Sequence, residues 1–223
     1  MDSRRAFAAE LEQRDATVAG RIAALAEISA EVDRIRARAA EIESTLAGVP
    51  LQRAHLDEAD ADAARDRELS RAALAEAEAA LERARGEEAR QAARLAANRA
   101  VAAVRAEEER RTRLADRRAR LEQETEQLRA EAAELERRAM AVAARLAESS
   151  RVSATAPPEP GLRGLVDWGA RAHAAVVVAC GGLESERERI VREANELASS
   201  VLGEPLYTAS VALVRTRLEE ELA

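Results

Sequence analysis

Apolar residues recur at every seventh position through the middle of this chain. Seven residues make two turns of an α-helix, so such side chains form one narrow stripe along a single helix. A narrow apolar stripe flanked by charged residues cannot form a globular core alone and needs a second helix beside it. The pattern therefore predicts a coiled coil. The members of this stripe, called the leucine ladder below, are Leu114, Leu121, Leu128, Leu135 and Val142.

A second apolar stripe lies near the start of the chain and predicts a helix over residues 3–47. Gly48-Val49-Pro50 follows, and glycine suits the position just past a helix end while proline suits the first turn of the next helix. We predict a tight turn at 48–50, with a second helix at 51–147 that folds back on the first. A kink at Pro50 within one longer helix is the alternative. The predicted intrachain seam consists of Ile28, Val32, Ile35, Ile42 and Leu46.

These lengths predict a partner for the leucine ladder. A first helix of about 45 residues can cover the returning helix only to about residue 97. The ladder would then pair with another copy, with another protein or with the C-terminal helices. In a parallel dimer two facing charge pairs would attract and one would repel, which mildly favours a parallel homodimer. The attractive pairs are Arg117 with Glu122 and Glu124 with Arg129, and the repulsive pair is Glu131 with Glu136. Three segments of about 48 residues, folded as a three-helix bundle, are a further alternative.

The third segment is set apart by a linker. Residues 149–161 include three prolines within four positions, which stop a helix and favour an extended spacer. Beyond them, Gly181-Gly182 and Gly203-Glu204-Pro205 predict the ends of short helices. The expected fold is therefore all-α: a long antiparallel coiled-coil hairpin over 1–148 that extends into a further coiled-coil seam, followed by a small three-helix domain over 162–223.

Charge patterning disfavours a nucleic-acid surface. Charged residues make up 35% of the chain, both signs alternate along it and the formal net charge is −7, as expected for solvated helix faces. All 35 basic residues are arginine, which we interpret as the codon bias of a GC-rich genome.

An acidic cluster at 57–66 suits the start of a helix. Residues 105–113 contain no large apolar side chain, so we expect a loosened or unpaired stretch there.

No pattern in the chain indicates a catalytic, cofactor or metal site. His173 and Cys180 lie seven residues apart on one helix, but zinc needs more ligands than these two. No hydrophobic signal core follows the N-terminal residues, and the longest apolar run, 174–180, is far too short to span a bilayer. We therefore expect a cytoplasmic protein without cofactors that contacts neither nucleic acid nor membrane.

Only three residues are aromatic, and two of them lie in the C-terminal segment. Trp168 and Tyr207 are candidate docking anchors, because aromatic side chains dominate many protein interfaces; core filling in the small domain is the alternative. The leading hypothesis is a non-enzymatic scaffold that oligomerises and docks a protein partner through its C-terminal domain. The alternatives are a regulatory subunit whose helical arm binds an enzyme or filament, and a coiled coil associated with a membrane surface or nucleic acid.

Overall fold

The computed structural model describes residues 2–150 and 156–222. These residues form four α-helices and no strand, so the predicted all-α class is confirmed. The tertiary contacts divide the chain into two compact units. Unit 1 contains Met1–Glu41 with Ala132–Ala223, and unit 2 contains Ile42–Glu131. The helices are α1 (Asp2–Arg83), α2 (Glu87–Ser150), α3 (Leu162–Leu202) and α4 (Val211–Leu222).

Helix α1 continues through Pro50, so the turn predicted at 48–50 is wrong. An internal proline removes one backbone hydrogen bond and crowds the carbonyl four residues earlier, at about 3 kcal/mol. The apolar side of α1 keeps its phase across this point, which offsets that penalty. Ile42, Val49 and Ala63 are buried at seven- or fourteen-residue intervals, and Leu56 between them is half-buried.

The chain reverses at residues 84–86, between α1 and α2. Gly86 has a φ of +92°, a region that side-chain-bearing residues rarely adopt. The amide of Ala84 donates to the carbonyl of Leu81 at 3.4 Å, and the amide of Arg90 donates to the carbonyl of Gly86 at 3.2 Å. Helices α1 and α2 therefore both differ from the predicted helices at 3–47 and 51–147.

Cross-helix ion pairs hold unit 2 in an antiparallel register. Arg110 Nη1 lies 3.0 Å from Asp66 Oδ2, and Arg111 Nε lies 3.5 Å from Asp60 Oδ1. Arg118 also pairs with Asp57. Each exposed pair contributes little free energy, but together they align the acidic cluster of α1 with the arginines of α2. The acidic cluster is therefore mid-helix, and the stretch at 105–113 is helical and paired, contrary to both expectations.

In unit 1, segments of all four helices pack around one apolar core. Helix α1 buries a heptad-spaced stripe there, and α3 buries Trp168 completely. Helix α4 adds Val211 and Val214, each at most 2% exposed. The other fully buried large side chains of unit 1 are Leu11, Leu25, Ile28, Val32, Val142, Leu146, Leu165 and Ile190, with exposures of 2% or less.

Helix α3 runs through Gly181-Gly182, so two helices, not the predicted three, follow the prolines. Burial of Val176, Leu183 and Ile190 on one side of α3 keeps the helix continuous across the glycines. Residues 156–161 are non-helical, while 151–155 of the predicted linker lie outside the described residues.

Ion pairs attach α3 and α4 to the first part of α1. Arg187 binds Asp15 through two nitrogen–oxygen contacts of 2.8 and 3.4 Å, and Arg14 lies 3.2 Å from Glu193. Arg215 of α4 lies 2.6 Å from Glu12. The hydrogen bond to Asp15, and then its negative charge, raise the pKa of Arg187 above its usual value. The segment predicted as a separate domain at 162–223 therefore shares a core with α1 and the end of α2.

Candidate protein-docking surface

The leucine ladder is covered in part within one chain. Leu121 is 9% exposed in unit 2, and Leu135 and Val142 are 7% and 1% exposed in unit 1. Leu114 and Leu128 are half-buried. The argument that α1 is too short to cover this stripe is therefore wrong, because α1 extends to Arg83. The alternative that the C-terminal helices cover the stripe agrees with its end, since Leu135 and Val142 belong to the same unit as α3 and α4.

The predicted intrachain seam packs inside the chain. Ile28, Val32 and Ile35 are at most 3% exposed in unit 1. Ile42 is fully buried in unit 2, where Leu46 is half-buried. Four of these five residues are therefore core residues, and only Leu46 keeps some exposed surface.

The two candidate anchors have opposite environments. Trp168 has no exposed surface, so it fills the core of unit 1 and is not an accessible anchor. Its indole Nε1 is also buried without a hydrogen-bond acceptor among the residues described. Tyr207 is 91% exposed, on the segment between α3 and α4. Core filling therefore explains Trp168 but not Tyr207.

The segment that carries Tyr207 begins at a helix cap. Gly203 ends α3 in the left-handed conformation, with a φ of 74°, and its amide donates to the carbonyl of Ser199 at 3.0 Å. Glycine adopts this conformation without the steric penalty that a β carbon brings. The cap redirects the chain, so that Pro205 and Tyr207 lie beside the last turns of α3.

Two polar side chains of α3 hold this segment in place. The amide group of Asn195 makes a reciprocal pair with the backbone of Thr208: Nδ2 donates to the carbonyl at 3.0 Å, and Oδ1 accepts from the amide at 2.9 Å. Ser199 Oγ accepts from the amide of Leu206 at 2.8 Å. Backbone groups on both sides of Tyr207 are therefore fixed. Sequence analysis did not identify Asn195 and Ser199, although their four-residue spacing before Gly203 was a usable signal.

A groove of about 820 Å³ lies between this segment and α3. One wall of the groove is the side of α3 that includes the residues from Glu188 to Ser200. Its other wall is formed by Pro205, Leu206 and Tyr207. Both apolar and charged side chains line the groove, a combination that protein-binding surfaces share.

The groove is acidic. Glu188, Glu196 and Glu204 line it together with Arg192, so its formal charge is −2. Within the described part of the chain, none of these three carboxylates lies within 4.0 Å of a cationic nitrogen. By contrast, Glu193 on the side of α3 that faces α1 pairs with Arg14 at 3.2 Å.

Of the remaining chemical candidates, His173 has structural partners. His173 Nδ1 lies 3.1 Å from Asp33 Oδ1 and 3.4 Å from Ser29 Oγ. Burial, and then the charge of Glu184, raise the pKa of the Cys180 thiol, which keeps it in the less reactive protonated form. Among residues 2–150 and 156–222, no three metal-ligating side chains come together.

None of the helices described has a segment that is both long enough and apolar enough to cross a bilayer. The predicted cytoplasmic location stays a prediction. Comparisons with protein-family models, with curated proteins and with solved structures gave no match to this chain.

Proposed function

We propose that this protein is a non-enzymatic adaptor that docks a partner protein at the groove beside Tyr207. The observation that carries the proposal is the 91% exposure of Tyr207 in a chain with only three aromatic residues. Exposed aromatic side chains are costly in water and are characteristic of binding hot spots. The long helices of both units would serve as the scaffold that presents this surface.

The hydrogen bonds that hold the segment between α3 and α4 lower the entropic cost of binding a partner there. Binding is weakened whenever a flexible loop has to be ordered in the complex. Hydrogen bonds with the side chains of Asn195 and Ser199 already order the backbone around Tyr207 in the free chain. A partner would therefore meet a preorganised surface and would lose less conformational entropy on binding.

The proposal does not depend on self-association. A homodimer through the leucine ladder was expected because these side chains needed cover. Leu121, Leu135 and Val142 already have that cover within one chain. Docking at Tyr207 is therefore proposed for the single chain.

A nucleic-acid partner is disfavoured in unit 2 by the pairing of three arginines of α2. Arg110, Arg111 and Arg118 each bind an aspartate of α1. Phosphate binding would require unpaired basic side chains clustered on one side of the protein. Together with the negative net charge, this favours protein as the class of partner.

Co-purification tests the proposal. The protein, tagged and expressed in its native cell, should retain a specific partner that the Tyr207→Ala variant loses. The matched control is Val178→Ala, because Val178 is also strongly exposed, at 71%, and does not line the groove. The proposal is wrong if the two variants retain the same proteins in the same amounts as the unmodified chain.

The alternative function, an arm that binds an enzyme or filament, has one observation in its favour. Unit 2 has a groove of about 500 Å³ in which Leu51 is 65% exposed, beside Leu56 and Leu121. Arg117 and Arg120 lie at its edge. If the arm is the binding element, Leu51→Asp would abolish partner retention and Tyr207→Ala would not.

A further inference from the structure

We infer that the groove beside Tyr207 accepts a basic α-helical segment of another protein, with arginine or lysine side chains placed against its carboxylates. This inference rests on the proposed docking function and adds the chemical class of the partner. It depends on three features of the groove: its uncompensated charge, its length along α3 and its aromatic wall.

The charge of the groove selects a cationic occupant. Three carboxylates and one guanidinium line it, and no cationic nitrogen of the described chain neutralises the carboxylates of Glu188, Glu196 and Glu204. On the side of α3 toward α1, Glu193 is instead paired with Arg14. Complementary charge speeds association and excludes acidic competitors, since like charges in contact are repelled.

The length of the groove fits a helix. Glu188 and Glu196 lie eight residues apart on α3, about 12 Å along its axis. Cationic side chains seven or eight residues apart on a partner helix have the same separation. An adjacent helix of this kind would fill the space between α3 and the wall formed by Pro205 and Leu206.

The exposed ring of Tyr207 provides a further contact for a cation. A guanidinium or ammonium group that lies over an aromatic ring is attracted to its negative face. Arginine gains more than lysine, because its planar group also stacks on the ring. We therefore expect arginine to be preferred at the end of the groove near Tyr207.

A second copy of this chain is a poorer occupant. Its richest arginine segment lies in α2, where Arg110, Arg111 and Arg118 already pair with aspartates of α1. A second copy that used these three arginines in the groove would have to break those pairs. The inference therefore commits to a segment of another protein.

The test uses the full chain and a fluorescein-labelled, alanine-based helical peptide with arginine at every fourth position. A peptide with glutamine in place of arginine is the control. Fluorescence anisotropy should show binding of the arginine peptide that weakens with added salt, and little binding of the glutamine peptide. Glu188→Gln with Glu204→Gln should weaken binding about tenfold or more, and Tyr207→Ala about two- to fivefold.

The charge-matched control is Glu58→Gln with Glu78→Gln, which removes two exposed carboxylates that do not line the groove. This variant should bind within about twofold of the unmodified chain. Equal weakening by both double variants would overturn the inference, because the peptide would then be responding only to the overall charge. Displacement of the peptide by an excess of the Glu188→Gln, Glu204→Gln variant would also overturn it, in favour of a second copy, because that variant keeps every arginine of the chain but binds the peptide weakly.

Failure of the inference and failure of the docking function are distinguishable. If the arginine peptide does not bind while partner retention still requires Tyr207, the basic helix is wrong and docking stands. If partner retention does not require Tyr207, the docking function is wrong whatever the peptide does.

Discussion

Gly169 of α3 lies directly against the side chain of Arg36 of α1: a β carbon added to Gly169 would stand 2.7 Å from Arg36 Cβ. That separation is well below ordinary van der Waals contact, so only glycine permits this close approach of the two helices. The contact lies within unit 1, next to the buried Trp168 on α3.

Gly169→Ala is expected to destabilise unit 1. The added methyl group would force α3 away from α1, and overpacking of this kind costs about 1–3 kcal/mol. Chemical unfolding followed by the fluorescence of Trp168, the single tryptophan, measures the change. Gly182→Ala is the matched control, because nothing lies within 4 Å of its added methyl group and alanine favours a helix by about 1 kcal/mol. The packing account is wrong if both variants change stability in the same direction.

Pro50→Ala is expected to raise the stability of unit 2. Alanine restores a backbone donor within α1 and removes the clash of the proline ring, a gain of up to about 3 kcal/mol. Circular dichroism during thermal unfolding measures the shift in Tm. Gly48→Ala should also stabilise, by about 0.5–1 kcal/mol, since Gly48 lies inside the same helix. Destabilisation by both substitutions would instead indicate a turn at 48–50.

Leu135→Ala is expected to destabilise unit 1 by about 2–5 kcal/mol, because it leaves a cavity in a packed core. Leu213→Ala, a change at a 55% exposed position, should have an effect of about 0.5 kcal/mol or less. The fluorescence of Trp168 again reports unfolding of unit 1.

If the leucine ladder is covered within the chain, the unfolding midpoint of unit 1 should stay constant over about a hundredfold range of protein concentration. A midpoint that rises with concentration, and a Leu135→Ala variant that loses this dependence, would show that the ladder pairs between copies.

Asn195→Ala and Ser199→Ala are expected to release different amides of the segment between α3 and α4. The amide of Thr208 donates to Asn195 Oδ1, and the amide of Leu206 donates to Ser199 Oγ. Hydrogen exchange resolved by NMR should show faster exchange of Thr208 in the first variant and of Leu206 in the second. Each variant serves as the control for the other. Unchanged exchange in both would mean that the segment is not held by these side chains.

The helical class and the buried sides of the helices were predictable from the sequence, because the apolar spacing follows the helical period. Ile28, Val32 and Ile35 were assigned to a core from spacing alone, and they are buried. Such an apolar stripe predicts which side of a helix packs against another helix.

The helix ends were less predictable, because local turn preference competes with burial along the whole helix. Gly48 and Pro50 are typical of a turn, yet the continued phase from Ile42 to Ala63 carries α1 across them. Extension of the heptad count past Pro50 would have revealed this. The real reversal at 84–86 contains a single glycine and no proline, which is a weak signal.

The docking surface was predictable only as far as its aromatic residue. Trp168 and Tyr207 were both identified because aromatic residues are scarce in this chain. Which of the two side chains is exposed depends on tertiary packing, and local sequence patterns do not predict that. The roles of Asn195 and Thr208 depend on a contact across the cap at Gly203, which brings together residues thirteen positions apart.

Site-specific photo-crosslinking tests the central claim, that a partner binds at Tyr207, most directly. A benzophenone amino acid at position 207 of the full chain, irradiated in the native cell, should give a discrete adduct with another protein. The same group at position 178, which is also well exposed, should not give that adduct. The absence of an adduct at 207, or the same adduct at both positions, would contradict the account.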